Sequence, residues 1–421
     1  MSRPLLYKAA TELLGLIIAN QQAADKLMER YFREHPMLGR NDRGFVAEAV
    51  YGCLRRRRSL AYLLGTENPD AADLVAAQLL AEGGFSVRAL AEIGVRTSST
   101  DLAELAARLR RPGNDLPLGV RTDLPDWLLN RLLAQYGEAG VVELAAGLNR
   151  PASLDLRVNS IKADRQALIE RLAAEGHTVR PTPWSMFGLR SSDRAPLFGT
   201  AAFREGWFEV QDEGSQLAAM LLEPRRREMV VDFCAGAGGK TLQLGAMMAN
   251  SGTIYAFDVS RQRLERLKPR VRRAGLDNVR AVAIAHERDP RVQRLQGKID
   301  RVLVDAPCTG TGTLRRNPDI KWREPDVTEL VATQKRVLAA ASTLVKPGGR
   351  IVYVTCSLLR EENDEVVAEF SAQHPEFRPR PAAEILAHRG ISMVMDDDAM
   401  RLYPHRHATD GFYAVAFDRK R

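Results

Sequence analysis

The chain has 421 residues, 45% of them hydrophobic, with 61 Lys and Arg against 53 Asp and Glu for a net charge of +8. An ordinary apolar fraction over this length excludes a disordered chain and leaves room for two or three domains with their own cores. The basic balance favours a polyanionic partner, against the alternative of a merely solvated basic surface. Four cysteines, at positions 53, 234, 308 and 356, have no framework or CxxC spacing, which points to a reduced, cytosolic protein and away from a zinc site. Met1-Ser2-Arg3-Pro4 lacks the apolar core of a signal peptide, and no run approaches about 18 apolar residues, so the protein is expected to be soluble and not secreted.

From Leu5 to about Leu118 the pattern is helical. Leu6, Ala9, Ala10, Leu13, Leu14, Ile17 and Ile18 recur at three and four spacing, as in an amphipathic helix. Further helices are expected over 23–34, 41–64, 71–82, 86–93 and 101–109, giving an all-helical first domain, residues 1–120. The helix that opens at Asn41-Asp42-Arg43-Gly44-Phe45 runs into Arg55, Arg56, Arg57 and Arg58, with Cys53 buried beside them. Four arginines on one turn suit a helix C-terminus, and equally a phosphate-binding patch; the basic chain tilts the reading to the patch.

Arg110 to Pro117 is rich in breakers and reads as a linker. A small α+β domain, 121–225, follows. It has helices over 123–136 and 138–148, a strand at Leu154–Val158, a helix over 163–175, and short strands near 178–180, 188–190 and 207–210. Arg150, Arg157, Lys162 and Arg165 lie near its strand, so it is either an RNA-binding platform or a spacer.

From about 226 to 421 strands and helices alternate, which implies a parallel sheet in a Rossmann-like α/β domain. Strands are expected over 229–233, 253–257, 279–284, 301–304 and 351–354, with a last one in Gly411 to Phe417. Helices are expected over 240–249, 261–274, 326–344 and 361–373. Three strands end in chemically loaded loops: Asp232-Phe233-Cys234-Ala235-Gly236-Ala237-Gly238-Gly239-Lys240-Thr241, Asp305-Ala306-Pro307-Cys308 and Thr355-Cys356-Ser357. Ligands bind beyond the carboxyl ends of such strands, so the three loops are expected to meet there.

The glycine loop narrowly misses two phosphate motifs. A P-loop would need glycine at Cys234, and a dinucleotide fingerprint would need one at Thr241. An acidic strand end followed by Gly236-Ala237-Gly238-Gly239 suits S-adenosylmethionine: small residues let the backbone come close, and helix-start amides favour a carboxylate. Asp258, ending the second strand, can accept from a ribose diol, with a helix cap as the bland alternative. Lys240 is badly placed for the helix dipole, which argues for a functional role. Free cysteines are usually small buried hydrophobes. Two of them at strand ends beside a cofactor loop and the carboxylate of Asp305 point instead to covalent catalysis by an activated thiol.

These motifs resemble those of the RNA (cytosine-5) methyltransferase family. Cys234 to Thr241, Asp305 to Gly312 and Thr355-Cys356-Ser357 carry the resemblance, together with Arg316-Asn317-Pro318-Asp319-Ile320-Lys321-Trp322 and Gln211-Asp212-Glu213-Gly214-Ser215-Gln216. The match runs from about Leu124 to Phe417. The helices around Asp42 to Glu48, Tyr51 and Gly52 resemble the NusB-like RNA-binding domain of the bacterial branch that modifies small-subunit ribosomal RNA.

The resemblance implies 5-methylcytosine formation with Cys356 as nucleophile, Cys308 assisting release, Asp305 binding the base and Lys240 near the reacting groups. It implies that Cys234, Ala235, Gly236, Ala237, Gly238, Gly239, Lys240, Asp258 and Asp305 hold S-adenosylmethionine. The chemistry is coherent: cytosine C5 is a poor nucleophile until a thiolate adds at C6 and makes it enamine-like. Arg55–Arg58, Arg315, Arg316 and Lys321 are expected to hold phosphates, and the target base must leave its stack. One departure stands out: His286, in Ala285-His286-Glu287-Arg288-Asp289, occupies the place of the family's acidic adenosine contact, where Glu287 or Asp289 could substitute. The expectation is therefore a cytoplasmic, monomeric enzyme acting on 16S ribosomal RNA. The same chemistry on transfer RNA and a non-catalytic RNA-binding assembly factor remain as alternatives.

Overall fold

The three- and four-residue apolar spacing folds the first part of the chain into helices: α1 (Arg3–Ala19), α2 (Ala24–Glu34), α3 (Arg40–Arg55), α4 (Arg57–Leu64), α5 (Ala71–Ala81), α6 (Val87–Glu92), α7 (Leu102–Leu109), α8 (Leu118–Thr122) and α9 (Asp126–Leu148). The structure is a computed structural model and describes residues 2–20, 22–110, 116–192 and 197–421; the linker residues Arg111 to Asp115 lie outside these. Leu6, Ala9, Ala10, Leu13, Leu14 and Ile17 form the buried stripe of α1. They pack in one core with Val46, Val50, Cys53 and Leu54 of α3 and Leu74, Val75 and Leu79 of α5. The helix expected over 41–64 is in fact two, broken at Arg56 (φ −114°, ψ 20°). Gly137, at φ 68° and ψ 174°, kinks α9 where a break between two helices was expected.

The chain divides into two packing units, Met1–Pro151 with Thr313–Pro325, and Ala152–Gly312 with Asp326–Arg421. The expected boundaries at 120 and 225 do not coincide with them, for two physical reasons. First, α8 and α9 belong with the helices: Asp123 accepts the amide and hydroxyl of Ser59, and Arg58 Nη1 donates to Leu124 O at 2.6 Å. Second, residues 313–325 form a strap inside the helical unit. Asp319 Oδ2 accepts Ala24 N at 3.1 Å, and Trp322 Nε1 donates to Leu54 O at 2.6 Å. Lys321 corrects an expectation. It is buried rather than open to phosphate, and its Nζ donates to Arg55 O at 2.7 Å and Asn149 Oδ1 at 3.1 Å.

The second unit begins with β1 (Asp155–Val158), α10 (Arg165–Ala174), β2 (Val179–Pro181), β3 (Gly188–Ser191), α11 (Ala201–Arg204), β4 (Phe208–Val210) and α12 (Glu213–Met220). Its antiparallel sheet has the order β2-β3-β1-β4 and packs Leu156, Val158 and Phe208 against Leu168 and Leu172 of α10. There follow β5 (Met229–Phe233), α13 (Gly239–Met247), β6 (Thr253–Asp258), α14 (Arg261–Ala274), β7 (Val279–Ala283), α15 (Pro290–Gln293), β8 (Ile299–Asp305), α16 (Val327–Ser342), β9 (Val345–Thr355), α17 (Asp364–Gln373), β10 (Phe377–Arg380), α18 (Ala382–Ala387), β11 (Met400–Leu402), α19 (Pro404–His407) and β12 (Phe412–Arg419). The small sheet is tied to this part through Glu209, which takes Arg270 and Arg273 of α14. Asn159 Nδ2 adds a hydrogen bond to Ala274 O at 2.9 Å.

The large sheet has the order β10-β12-β9-β8-β5-β6-β7, with β11 paired to β12. Strands β5 to β9 are parallel, and β12 closes antiparallel onto β9. The strand order reverses between β5 and β8, the place where doubly wound sheets open a crevice beyond their carboxyl ends. The fold is therefore the Rossmann-like α/β class. Strands β5, β8 and β9 are consecutive neighbours, so the three loaded loops leave the same edge side by side. Among the described residues no helix is long and apolar enough to cross a membrane.

Burial lowers the pKa of Lys321 to about 8, against the opposing attraction of Asp123. Lys321→Met should destabilise the protein by about 1–3 kcal/mol, because two buried acceptors lose their donor. Denaturant unfolding measures this, and the salt dependence of RNA binding should be the same for both proteins.

Candidate active site

The glycine loop leaves β5 through Cys234, which sits at φ 68° in the left-handed region that non-glycine residues rarely occupy. Gly236 (φ +57°) and Gly238 (φ +85°) continue the turn, and Gly238 caps α13. A Cβ added at Gly236 or Gly239 would meet nothing within 4 Å, so this face of the loop is an open cradle. Asp258 is buried at the end of β6; its Oδ2 accepts Gly236 N at 2.8 Å and its Oδ1 accepts Ser260 N at 2.6 Å. The carboxylate thus braces the loop, while Ser260 itself caps α14. A bare backbone cradle at a helix start, with an acid at the neighbouring strand end, fits an S-adenosylmethionine-like ligand.

Asp232 lies beneath the loop, 1% exposed; its Oδ2 accepts Thr241 Oγ1 at 2.5 Å and its Oδ1 has no partner among the described residues. Burial pushes its pKa up to about 7, against the Thr241 hydrogen bond, with Asp305 and Asp258 adding to the rise. Burial also pushes the Cys234 thiol well up, so this third cysteine stays protonated and packs as part of the core.

The loops after β8 and β9 bring the other two thiols together: Cys308 Sγ and Cys356 Sγ are 3.5 Å apart. The hydrogen bond to Cys356, and then burial, hold Cys308 well above the ordinary thiol range. Beside them Lys240 Nζ lies 2.8 Å from Asp305 Oδ1. Burial would lower the Lys240 pKa, but the Asp305 carboxylate outweighs it and leaves it raised. Lys240 Nζ also sits 5.4 Å from the centroid of Phe412, at the start of β12. The side chain of Asp305 stays 32% exposed, so its carboxylate can still receive donors from a substrate.

Backbone hydrogen bonds fix the cysteine loops. Gly312 N donates to Cys356 O and Gly411 N to Gly312 O, both at 2.8 Å. A Cβ at Gly312 would lie 2.3 Å from Gly411 O, so only glycine permits the contact. The sequence reading missed Glu362, which is fully buried and accepts from Thr309, Gln334 and Ser357. An acidic pair, Glu361-Glu362, ahead of an apolar helix reads in sequence as a solvated helix start.

The arginine patch also differs from its expectation. Arg56 pairs with Glu82 at 2.5 Å, and Arg58 with Asp126 at 2.6 Å. Arg57 lies over the Trp322 ring, and Arg55 Nη2 donates to Arg315 O. All four are half-buried, and Arg315 is buried. The break at Arg56 turns them towards packing and ion pairs within the helical unit, in place of an open phosphate surface. Arg316 is half-buried. Exposed positive charge lies instead on α14, with seven basic residues to one acidic; Arg261, Arg263, Arg266 and Arg272 are open. His286 is exposed, and its Nδ1 accepts Arg288 N. Asp289 is tied to Ala285 N and Arg291, which hold its carboxyl below the usual range, and Glu287 lies 4.0 Å from Arg336.

Comparison with known proteins bears on this geometry. Residues 219–418 match the family model described as 16S rRNA methyltransferase RsmB/F. Residues 124–196 match that of an RsmF/B-like ferredoxin-like domain. A Synechocystis sp. protein named "Probable ribosomal RNA small subunit methyltransferase B" is 31% identical over 92% of this chain and 94% of its own. A Bacillus subtilis protein of the same name is 29% identical over 100% of both. The crystal structure of PH0851 superposes with a TM-score of 0.80 at 28% identity, covering 100% of this chain and 99% of that one.

Asp232 gives the site a pH signature. The unfolded carboxyl releases its proton near 3.8 and the folded one near 7, so in between the folded state holds the extra proton and stability falls as pH rises. Unfolding midpoints at about pH 5 and about pH 8 should show the wild type losing stability relative to Asp232→Asn, whose own cost does not titrate.

Proposed function

The chain belongs to the 16S rRNA methyltransferase RsmB/F family, and from that premise we propose that it forms 5-methylcytosine in small-subunit ribosomal RNA through a Cys356–cytosine adduct. It is a methyltransferase, and its cofactor is S-adenosylmethionine. The observation that carries the cytosine reading is the 3.5 Å approach of Cys308 and Cys356 at the ends of neighbouring parallel strands, beside the cofactor loop.

The division of labour between the thiols is the one the family resemblance implies. Cys356 is the nucleophile, and Cys308, whose pKa the hydrogen bond to Cys356 and burial raise, stands 3.5 Å from its sulfur. Cys356 Sγ adds to C6 of a cytosine turned out of its stack, and the electron pair moves towards C5. Asp305, paired with Lys240 through Oδ1, would accept from the exocyclic amine, and from N3 once N3 takes up a proton as the adduct forms, and so hold the base against the thiols. When bound across Cys234–Lys240 and Asp258, S-adenosylmethionine supplies the methyl group that C5 accepts. Adduct formation ties up the Cys356 sulfur and with it the hydrogen bond that is the main cause of the high Cys308 pKa. Cys308 can then release its proton to solvent and, as thiolate, take the C5 proton; the C6–S bond breaks and the electron pair returns to Cys356. The exposed basic face of α14 and the net charge of +8 support a polyanionic substrate.

Cys308→Ser, incubated with S-adenosylmethionine and total cellular RNA, should give a covalent protein–RNA band on a denaturing gel. Cys356→Ser in the same chain should abolish it, and sequencing the trapped RNA names the substrate. Methyl transfer by the wild type with no band from Cys308→Ser would refute the assigned order of the thiols. No transfer by the wild type would favour a non-catalytic binding factor.

A further inference from the structure

We propose that Glu362 and Asn363 are positioning residues of the methyl-transfer site, clamping the two cysteine loops so that the sulfurs stay at their working separation. The proposal rests on the two-thiol reading above.

Glu362 Oε1 accepts Thr309 N at 2.8 Å and Gln334 Nε2 at 2.9 Å. Its Oε2 accepts Thr309 Oγ1 at 2.6 Å and the hydroxyl of Ser357. Thr309 directly follows Cys308, and Ser357 directly follows Cys356. One carboxylate therefore holds the residue after each thiol. Asn363 completes the hold: its Oδ1 accepts Thr355 Oγ1 at 2.5 Å and its Nδ2 donates to Ser357 O at 2.9 Å, so Cys356 is bracketed on both sides. Gln334 Nε2 also donates to Pro307 O at 2.9 Å, which brackets Cys308 likewise. Tyr353 Oη donates to Glu362 O at 2.7 Å and anchors the clamp to β9 itself.

The choice of a carboxylate is informative. Glu362 is 0% exposed and has no ion-pair partner among the described residues. A buried carboxyl group is costly unless its oxygens are hydrogen-bonded, and here four donors reach them. An amide or an apolar residue would staple two loops with less desolvation cost. Only an acceptor-only group can gather four donors from two loops and an adjacent helix at one point. The clamp does not touch the reacting atoms; it sets where they stand. A misplacement of about 1 Å at a reacting centre can cost about a hundredfold in rate.

The test uses the full chain with S-adenosylmethionine and its RNA substrate. Glu362→Gln keeps the shape but places a donor against two hydroxyls. Its kcat should fall about tenfold or more, with KM for RNA and for cofactor within about twofold. A covalent RNA band should appear although Cys308 is intact, because release depends on the sulfur spacing. Thr309→Val, which removes the hydroxyl bond to Glu362 together with the longer contacts to Ser357 and Thr311, should move both readouts in the same direction by less, and it carries the test if Glu362→Gln does not fold. Wild-type kcat in the folded variants, or activity lost only in proportion to the folded fraction with no trapped band, overturns the clamp. Cys308→Ser separates the two ideas. A band there with normal Glu362→Gln turnover refutes the clamp alone, whereas no band there removes the two-thiol reading and the clamp with it.

Discussion

Two sulfur atoms 3.5 Å apart are the constraint around which the rest of the catalytic unit is arranged. Neighbouring strands in a sheet lie about 4.8 Å apart, so thiols on adjacent strand-end loops can meet only if the two strands stop at nearly the same level. Strands β8 and β9 do so, with Asp305 paired to Val354 at the last rung before the loops depart. Parallel pairing is then essential: it sends both loops off the same edge, whereas an antiparallel partner would send its loop to the opposite end. Strand β12 shows the contrast. It runs antiparallel to β9, and its start, at Phe412, lies where β9 ends. It thereby contributes the Phe412 ring near Lys240 and the Gly411–Gly312 backbone contact to the same edge.

The electrostatics of that edge are unbalanced in a useful way. Asp232, Asp258 and Asp305 end three neighbouring strands, and Lys240 is paired with Asp305. Asp258 is satisfied by backbone amides, whereas Asp232 has an unpartnered oxygen and low exposure, and it responds by holding its proton. Asp305 is the one of the three whose side chain remains partly open. A neutral Cys308 beside Cys356 follows the same logic, since two adjacent thiolates in a poorly solvated loop would repel.

The long strap 313–325 gives the loop after β8 a second role. The polypeptide that carries Cys308 continues into Asp319, Lys321 and Trp322, which are packed among α2, α3 and α9 of the helical unit. A sequence motif that reads as basic and RNA-facing is in this respect a structural plug. Its lysine donates to a carbonyl and an amide oxygen, and its tryptophan donates to a helix end.

Much was legible in the residues. Period-3.6 and period-2 patterns place most elements, and the strand-end position of Cys308, Cys356 and the glycine loop follows from apolar runs that stop at polar residues. What a linear pattern could not supply is which distant donors a side chain would meet. Arg55 to Arg58 read as one open turn because nothing local signals the break at Arg56 or the acids Glu82 and Asp126 that claim two of them. Glu362 read as solvated because its four donors lie 5, 28 and 53 residues away. The sequence by itself determined the elements and the chemical groups at their ends, since these depend on near neighbours and periodicity. The sulfur separation, the raised pKa of Asp232 and the donors around Glu362 come from the fold, because burial and hydrogen-bond partnership are set by residues far apart in the chain.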